Sequence, residues 1–154
     1  MLQEPVATML QDDALGTSNL QASLWTRAIP WAAQIGVAAI LGQTLFFKFT
    51  YAPETQVIFG PRGGRPAATL VGLAELVCVV LLLLPRTAAL GAAFSLLVIS
   101  GAIFTHLTSL GIQVVNPQTG ESDGGLLFGL AILVVIGSAI VLYFRWRELP
   151  FVQS

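Results

Sequence analysis

The sequence predicts an all-α polytopic membrane protein, four transmembrane helices folded into one antiparallel bundle. Two observations predict it. Only 10% of the 154 residues are charged and 55% are hydrophobic, with a mean hydropathy of +0.82, whereas a soluble domain carries about 25% charged residues. In addition, four runs at 28–47, 67–84, 88–107 and 124–144 hold between them a single acid or strong base, Glu75. Each run approaches the roughly 20 apolar residues a helix needs to cross about 30 Å of hydrocarbon. They are apolar all round, unlike the helices that coat a soluble core.

Residues 1–26 are polar and mildly acidic (Glu4, Asp12, Asp13), with no basic stretch ahead of an apolar core. They do not read as a secretory signal peptide. They read as a mobile N-terminal tail preceding a membrane domain at 27–148, with a short C-terminal tail at 149–154. Span one opens at Ile29-Pro30-Trp31, a proline suited to a first helical turn beside an interfacial tryptophan, and ends at Phe46-Phe47-Lys48. The connection at 49–65 is too apolar for a plain linker (Val57, Ile58, Phe59) and predicts a short interfacial or re-entrant piece. Pro85-Arg86-Thr87 alone joins spans two and three, which forces a hairpin of neighbouring helices. The next connection, 108–123, carries the turn signal Asn116-Pro117 and leads into Gly124-Gly125. Span four closes on Tyr143-Phe144-Arg145-Trp146-Arg147, an interfacial anchor.

Alternation puts both termini and the Arg86 turn on one side of the membrane, with Arg27, Arg86, Arg145 and Arg147. Lys48, Arg62 and Arg65 lie on the other. The positive-inside rule thus favours cytoplasmic termini by one charge. A net charge of −1 and the lack of any basic stripe exclude nucleic acid as a partner. With one cysteine, Cys78, and one histidine, His106, the chain offers no internal disulfide, no CxxC pair and no zinc or haem ligand set, so no metal is expected.

The polar residues of the spans sort toward one face. Lys48 ends span one, Glu75 lies in the first half of span two, His106 ends span three and Asp123 begins span four. A carboxyl inside a span is expensive and usually faces a bundle interior, a cavity or a partner. At about 1.5 Å per residue, Glu75 sits roughly 12 Å below the start of its span, with Lys48 and His106 near the interface. Gln43, roughly 7 Å deep, is nearer its level and is the expected hydrogen-bond partner. Glu75, His106, Lys48, Gln43 and Asp123 are therefore the candidate cavity or ligand-binding residues. Ala68, Gly72, Glu75 and Val79, with Cys78 close by, form the expected inner stripe of span two, and Ser95, Ile99, Ala102 and His106 that of span three. Simpler roles exist for each: a register-fixing acid for Glu75, snorkelling to headgroups for Lys48, a bond to backbone or water for His106, and plain packing for Cys78.

In order and topology the chain resembles the DoxX family of small four-helix membrane proteins. The resemblance rests on Phe47-Lys48-Phe49, Gly72-Leu73-Ala74-Glu75, the apolar run 81–84 with Pro85, Ser100-Gly101-Ala102 to His106-Leu107, and Ser122-Asp123-Gly124-Gly125-Leu126-Leu127-Phe128. It covers about residues 30–150. It implies a multi-pass protein of the bacterial inner membrane, associated with oxidoreductases, with a quinone or small sulfur-containing molecule as ligand. A thiol relay of the kind some relatives use lacks its second cysteine here. Two readings follow: a membrane subunit of a redox-linked complex, or a non-enzymatic scaffold in which the buried polar groups serve packing. Either could be a homo-oligomer or bind a soluble or membrane partner subunit. A small transporter is less favoured, since the two halves show no internal repeat.

Overall fold

A computed structural model describes the backbone at residues 4–116, 119–149 and 152, and side chains from residue 21 onward except at 22. The fold is all-α. Among the described residues four helices are long and apolar enough to cross a membrane, and the sole β pairing is an isolated bridge between Val115 and Ser122. The helices are α1 (Glu4–Thr50), α2 (Pro53–Phe59), α3 (Gly64–Leu83), α4 (Ala88–Thr105) and α5 (Leu126–Arg145). The long ones follow one another round a ring, α1 beside α3, α3 beside α4, α4 beside α5 and α5 beside α1. The bundle is antiparallel.

Its outer faces carry exposed Leu70, Leu97, Phe104, Leu133 and Ile136, an apolar belt suited to lipid. The core is built from small and β-branched residues, among them Val37, Leu41, Cys78, Ala92, Ile99 and Val134. Small side chains let helices approach closely, and that packing drives association inside a bilayer. Two glycines mark the closest approaches: Gly91 lies against the backbone of Leu81 and Leu82, and Gly137 against Val37. Gly129, four residues after Gly125, faces open space.

The predicted spans hold, with shifted ends. Helix continues to Thr50 in α1, to Leu110 beyond α4 and to Glu148 beyond α5. The largest difference lies at the N-terminal side, where 1–26 was expected as a tail. The backbone is helical from Glu4 and runs unbroken into the first span, so Pro30 is inside a helix rather than in its first turn. Its missing N–H leaves one carbonyl of the preceding turn without its usual partner. At the same end Arg145 donates to the Pro85 carbonyl (2.9 Å) and its guanidinium lies over the Trp31 ring, 5.4 Å from the centroid. The start of the first span, the α3–α4 turn and the end of α5 therefore meet, as alternation requires.

At the opposite end the 49–65 connection is ordered. Tyr51 takes a left-handed conformation (φ 55), α2 folds back, a 3₁₀ turn covers Gly60–Arg62, and Gly63 and Gly64 (φ 91 and 62) redirect the chain into α3. Buried Thr55 holds this segment by donating to the Phe47 carbonyl at 2.9 Å. The expected interfacial piece is thus a short helix packed on the bundle end.

Candidate functional site

Four helix ends converge beneath α2: the last turns of α1 and α4 and the first halves of α3 and α5. The site begins with a missing side chain. A Cβ at Gly72 would lie 3.2 Å from the Phe49 ring and 3.5 Å from Lys48 Cβ, so glycine there lets the end of α1 settle against α3. Lys48 then turns inward. Its Nζ lies 2.7 Å from Glu75 Oε2 and 2.9 Å from Oε1, and the two side chains are 14% and 6% exposed. One turn below, the Thr44 hydroxyl sits 2.9 Å from Glu75 Oε2 and 2.8 Å from the Leu41 carbonyl, its one proton shared between them. The acid in the span is thus a fully engaged carboxylate with a charge-assisted pair.

His106 approaches from α4. There the helix widens into a single π turn, His106–Leu110, closed by the Gly111 N–H on the His106 carbonyl at 2.8 Å. Turns of this kind recur at functional sites. His106 Nδ1 is 2.9 Å from the Gly111 carbonyl oxygen. A carbonyl only accepts, so Nδ1 carries the proton and Nε2 is the nitrogen left open. Among the described residues Nε2 has no hydrogen-bond partner. The ring is buried and meets Phe128 edge to face, 5.5 Å between centroids.

Between these groups lies a cavity of about 340 Å³, at the lower end of the range that holds small molecules. Leu41, Ile99 and Val134 are among its apolar walls, and Thr44, Lys48, Glu75 and His106 form a polar end. Ile58, Phe59 and Arg62 of the α2 segment complete it. The arrangement offers one imidazole nitrogen, a buffered ion pair and a hydroxyl to a polar head, and apolar surface to the rest of a ligand.

Three of the five expected residues meet here: Lys48, Glu75 and His106. Gln43 does not. It is exposed, because positions 41, 44 and 48 share the inward face of α1 and one step back rotates the side chain about 100° away. Thr44 holds the place expected for Gln43. Asp123 does not line the cavity either, although it lies at the correct end. Its Oδ1 accepts from the Val114 and Gly125 N–H groups (2.7 and 3.0 Å) and its Oδ2 from Leu127 N–H (3.0 Å). It therefore caps α5 and ties the 111–125 loop to that helix, satisfying amides that a helix start leaves bare. Thr44 and Arg62 were missed. In sequence Thr44 is one of many small polar residues, and Arg62 looks like part of a turn.

Burial pushes the Asp123 carboxyl up. The three N–H donors, with a smaller contribution from His106, outweigh that and hold it below the ordinary aspartate range. A depressed carboxyl stabilises the fold above its unfolded-state pKa, and that contribution fades as pH falls through the folded-state value. Asp123→Ala is expected to cost about 1–2 kcal/mol. The loss should be full near neutral pH and shrink toward wild type in acid, read from denaturation midpoints across pH.

No family model, curated protein or solved structure matches the chain.

Proposed function

We propose that this multi-pass membrane protein binds the head of a small amphiphile, a quinone or a sulfur-containing molecule, in the cavity beneath α2, as the membrane subunit of a redox-linked complex. The observation that carries the reading is that His106, its Nε2 without a partner among the described residues, lines an apolar-walled cavity together with Thr44 and the Lys48–Glu75 pair. The resemblance to the DoxX family supports it, and with it placement in a bacterial inner membrane with cytoplasmic termini. A quinone supplies two-electron, two-proton chemistry, with electrons passing to or from a partner subunit. In neutral form His106 Nε2 accepts a hydrogen bond from a hydroxyl; doubly protonated, it donates to a carbonyl oxygen. Lys48 and Glu75 neutralise each other, one cation against one anion, and Thr44 fixes the carboxylate.

The scaffold reading draws on one observation: Glu75 is already satisfied by Lys48 and Thr44. Binding measurements separate the two. A short-chain ubiquinone analogue, titrated against protein in phosphatidylcholine nanodiscs with empty discs as reference, should bind wild type. His106→Ala should weaken it about tenfold, the cost of one good hydrogen bond, with an unchanged elution profile. No binding to wild type would rule out a quinone head, and equal binding to the variant would remove His106 from the site.

A further inference from the structure

The charges around the cavity do not balance. Lys48 is neutralised by Glu75 at 2.7 and 2.9 Å. Arg62 lines the same cavity, half-buried, and among the described residues no carboxylate pairs with it. One N–H, on Nη1, donates to the Ile58 carbonyl at 2.7 Å, which orients the guanidinium; among the described residues the rest of its donor fork has no acceptor. His106 lies near enough to Asp123 to help hold its carboxyl down, but Asp123 is outside the cavity and its oxygens are taken by three backbone N–H groups. Two cations against one available carboxylate leave the site with one positive charge. An uncompensated cation beside apolar walls is costly, and an anion placed there relieves the cost.

Arg62 is also held in place rather than trailing toward headgroups. The segment that carries it is bounded by left-handed residues, Tyr51 on one side and Gly63 with Gly64 on the other. It is pinned by Thr55 on the Phe47 carbonyl at 2.9 Å and by Gln56 Nε2 on the Tyr51 carbonyl at 3.0 Å. Ile58 and Phe59, one turn before Arg62 in the chain, face the same space. The segment therefore presents apolar surface and a fixed guanidinium together. A planar fork of this kind matches carboxylate and phosphate groups.

We infer that Arg62 recognises an anion, and that the molecule filling the cavity is an amphiphilic monoanion with a carboxylate- or phosphate-class head on the guanidinium and an apolar body against Ile58, Phe59 and Val134. This rests on the cavity being a ligand site, as proposed above, and narrows its ligand to an anion, which a neutral quinone is not. The head comes either from a free amphiphile or from a membrane phospholipid.

The test compares octanoate with its neutral counterpart octanamide, titrated against the full chain in phosphatidylcholine nanodiscs. Wild type should prefer octanoate by about tenfold or more. Arg62→Gln should bring the two within about twofold, and Arg62→Lys should keep part of the preference. Among the described residues Arg62 has no ion pair to break, so these variants should fold, and an unchanged elution profile and unfolding midpoint report an intact bundle. Equal binding of octanoate and octanamide to wild type, or a preference that survives Arg62→Gln, overturns the inference. If quinone binding persists in that case, the cavity reading stands alone. If quinone never binds but octanoate is preferred through Arg62, the anion site stands and the quinone does not. Replacing a quarter of the lipid with phosphatidylglycerol then distinguishes the sources. Weakened octanoate binding, with phosphatidylglycerol retained by wild type and not by Arg62→Gln in native mass spectrometry, assigns the head to a lipid; no change assigns it to a free amphiphile.

Discussion

Glu75→Gln is expected to lower stability by about 3–5 kcal/mol, because it leaves the Lys48 ammonium inside the bundle without its counter-charge. The size follows from geometry. Both side chains are largely withdrawn from solvent, Lys48 contacts both carboxylate oxygens, and the neighbouring lining is mostly apolar. A surface pair would give less than about 1 kcal/mol. Lys48→Met should also destabilise, since among the described residues Thr44 would be the one side-chain donor left to the carboxylate. The double variant Lys48→Met with Glu75→Leu should recover most of the loss, as replacing a buried pair with apolar residues often does. Reversible unfolding in mixed micelles measures all three and yields the coupling between the positions. Single variants within about 0.5 kcal/mol of wild type would place the pair effectively in water. The double variant also separates structure from function. It should fold, yet have lost the charged end of the cavity, so retained ligand binding would remove Lys48 and Glu75 from the site.

The residue types of this site were legible in the sequence; their rotation was not. Topology alone brings Lys48, Glu75 and His106 to one end, because alternation fixes which span ends meet. It does not say which face of α1 looks inward. In a soluble helix the apolar stripe would answer that, but here outward residues such as Ile35 and Phe46 are as apolar as inward Val37 and Leu41, since lipid takes the place of water. Without that contrast Gln43 and Thr44 look equivalent. Depth misleads similarly. Lys48 at a span end suggests snorkelling to headgroups, and what sends it the other way is the space above Gly72, a contact between helices distant in sequence. Asp123 shows the converse error. Its position near the site is correct, but three backbone amides claim it, and amide demand at a helix start cannot be weighed before the loop path is known. In the fold, the spans and the α3–α4 hairpin follow from hydropathy and one short turn. The helix preceding span one does not, because a polar, weakly patterned segment carries no periodic signal.

That hairpin is also where a single methyl group should do most damage. A Cβ on Gly91 would lie 2.6 Å from the Leu82 nitrogen and 2.9 Å from the Leu81 carbonyl carbon, backbone atoms that cannot rotate aside. The turn offers no slack. Thr87 donates to the Leu81 carbonyl at 2.9 Å, and the Gly91 N–H donates to the Thr87 carbonyl at 2.8 Å. Helices α3 and α4 would have to separate where they are tied most tightly. Gly91→Ala should therefore cost about 2–3 kcal/mol, the upper part of the overpacking range, despite alanine's better helix propensity. Gly36→Ala is the matched control. Nothing lies within 4 Å of its added carbon, so propensity should dominate and stability should hold or rise by up to about 1 kcal/mol. Because α3 carries Glu75 and the π turn at the end of α4 carries His106, the two helices wedged apart at Gly91 are the ones that position the cavity's acid and its imidazole. Gly91→Ala should consequently weaken ligand binding from the far end of the bundle, while Gly36→Ala leaves it unchanged. Equal stability of the two variants in the same unfolding assay would mean that the hairpin can open at no cost, and that the close approach of α3 and α4 does not position the site.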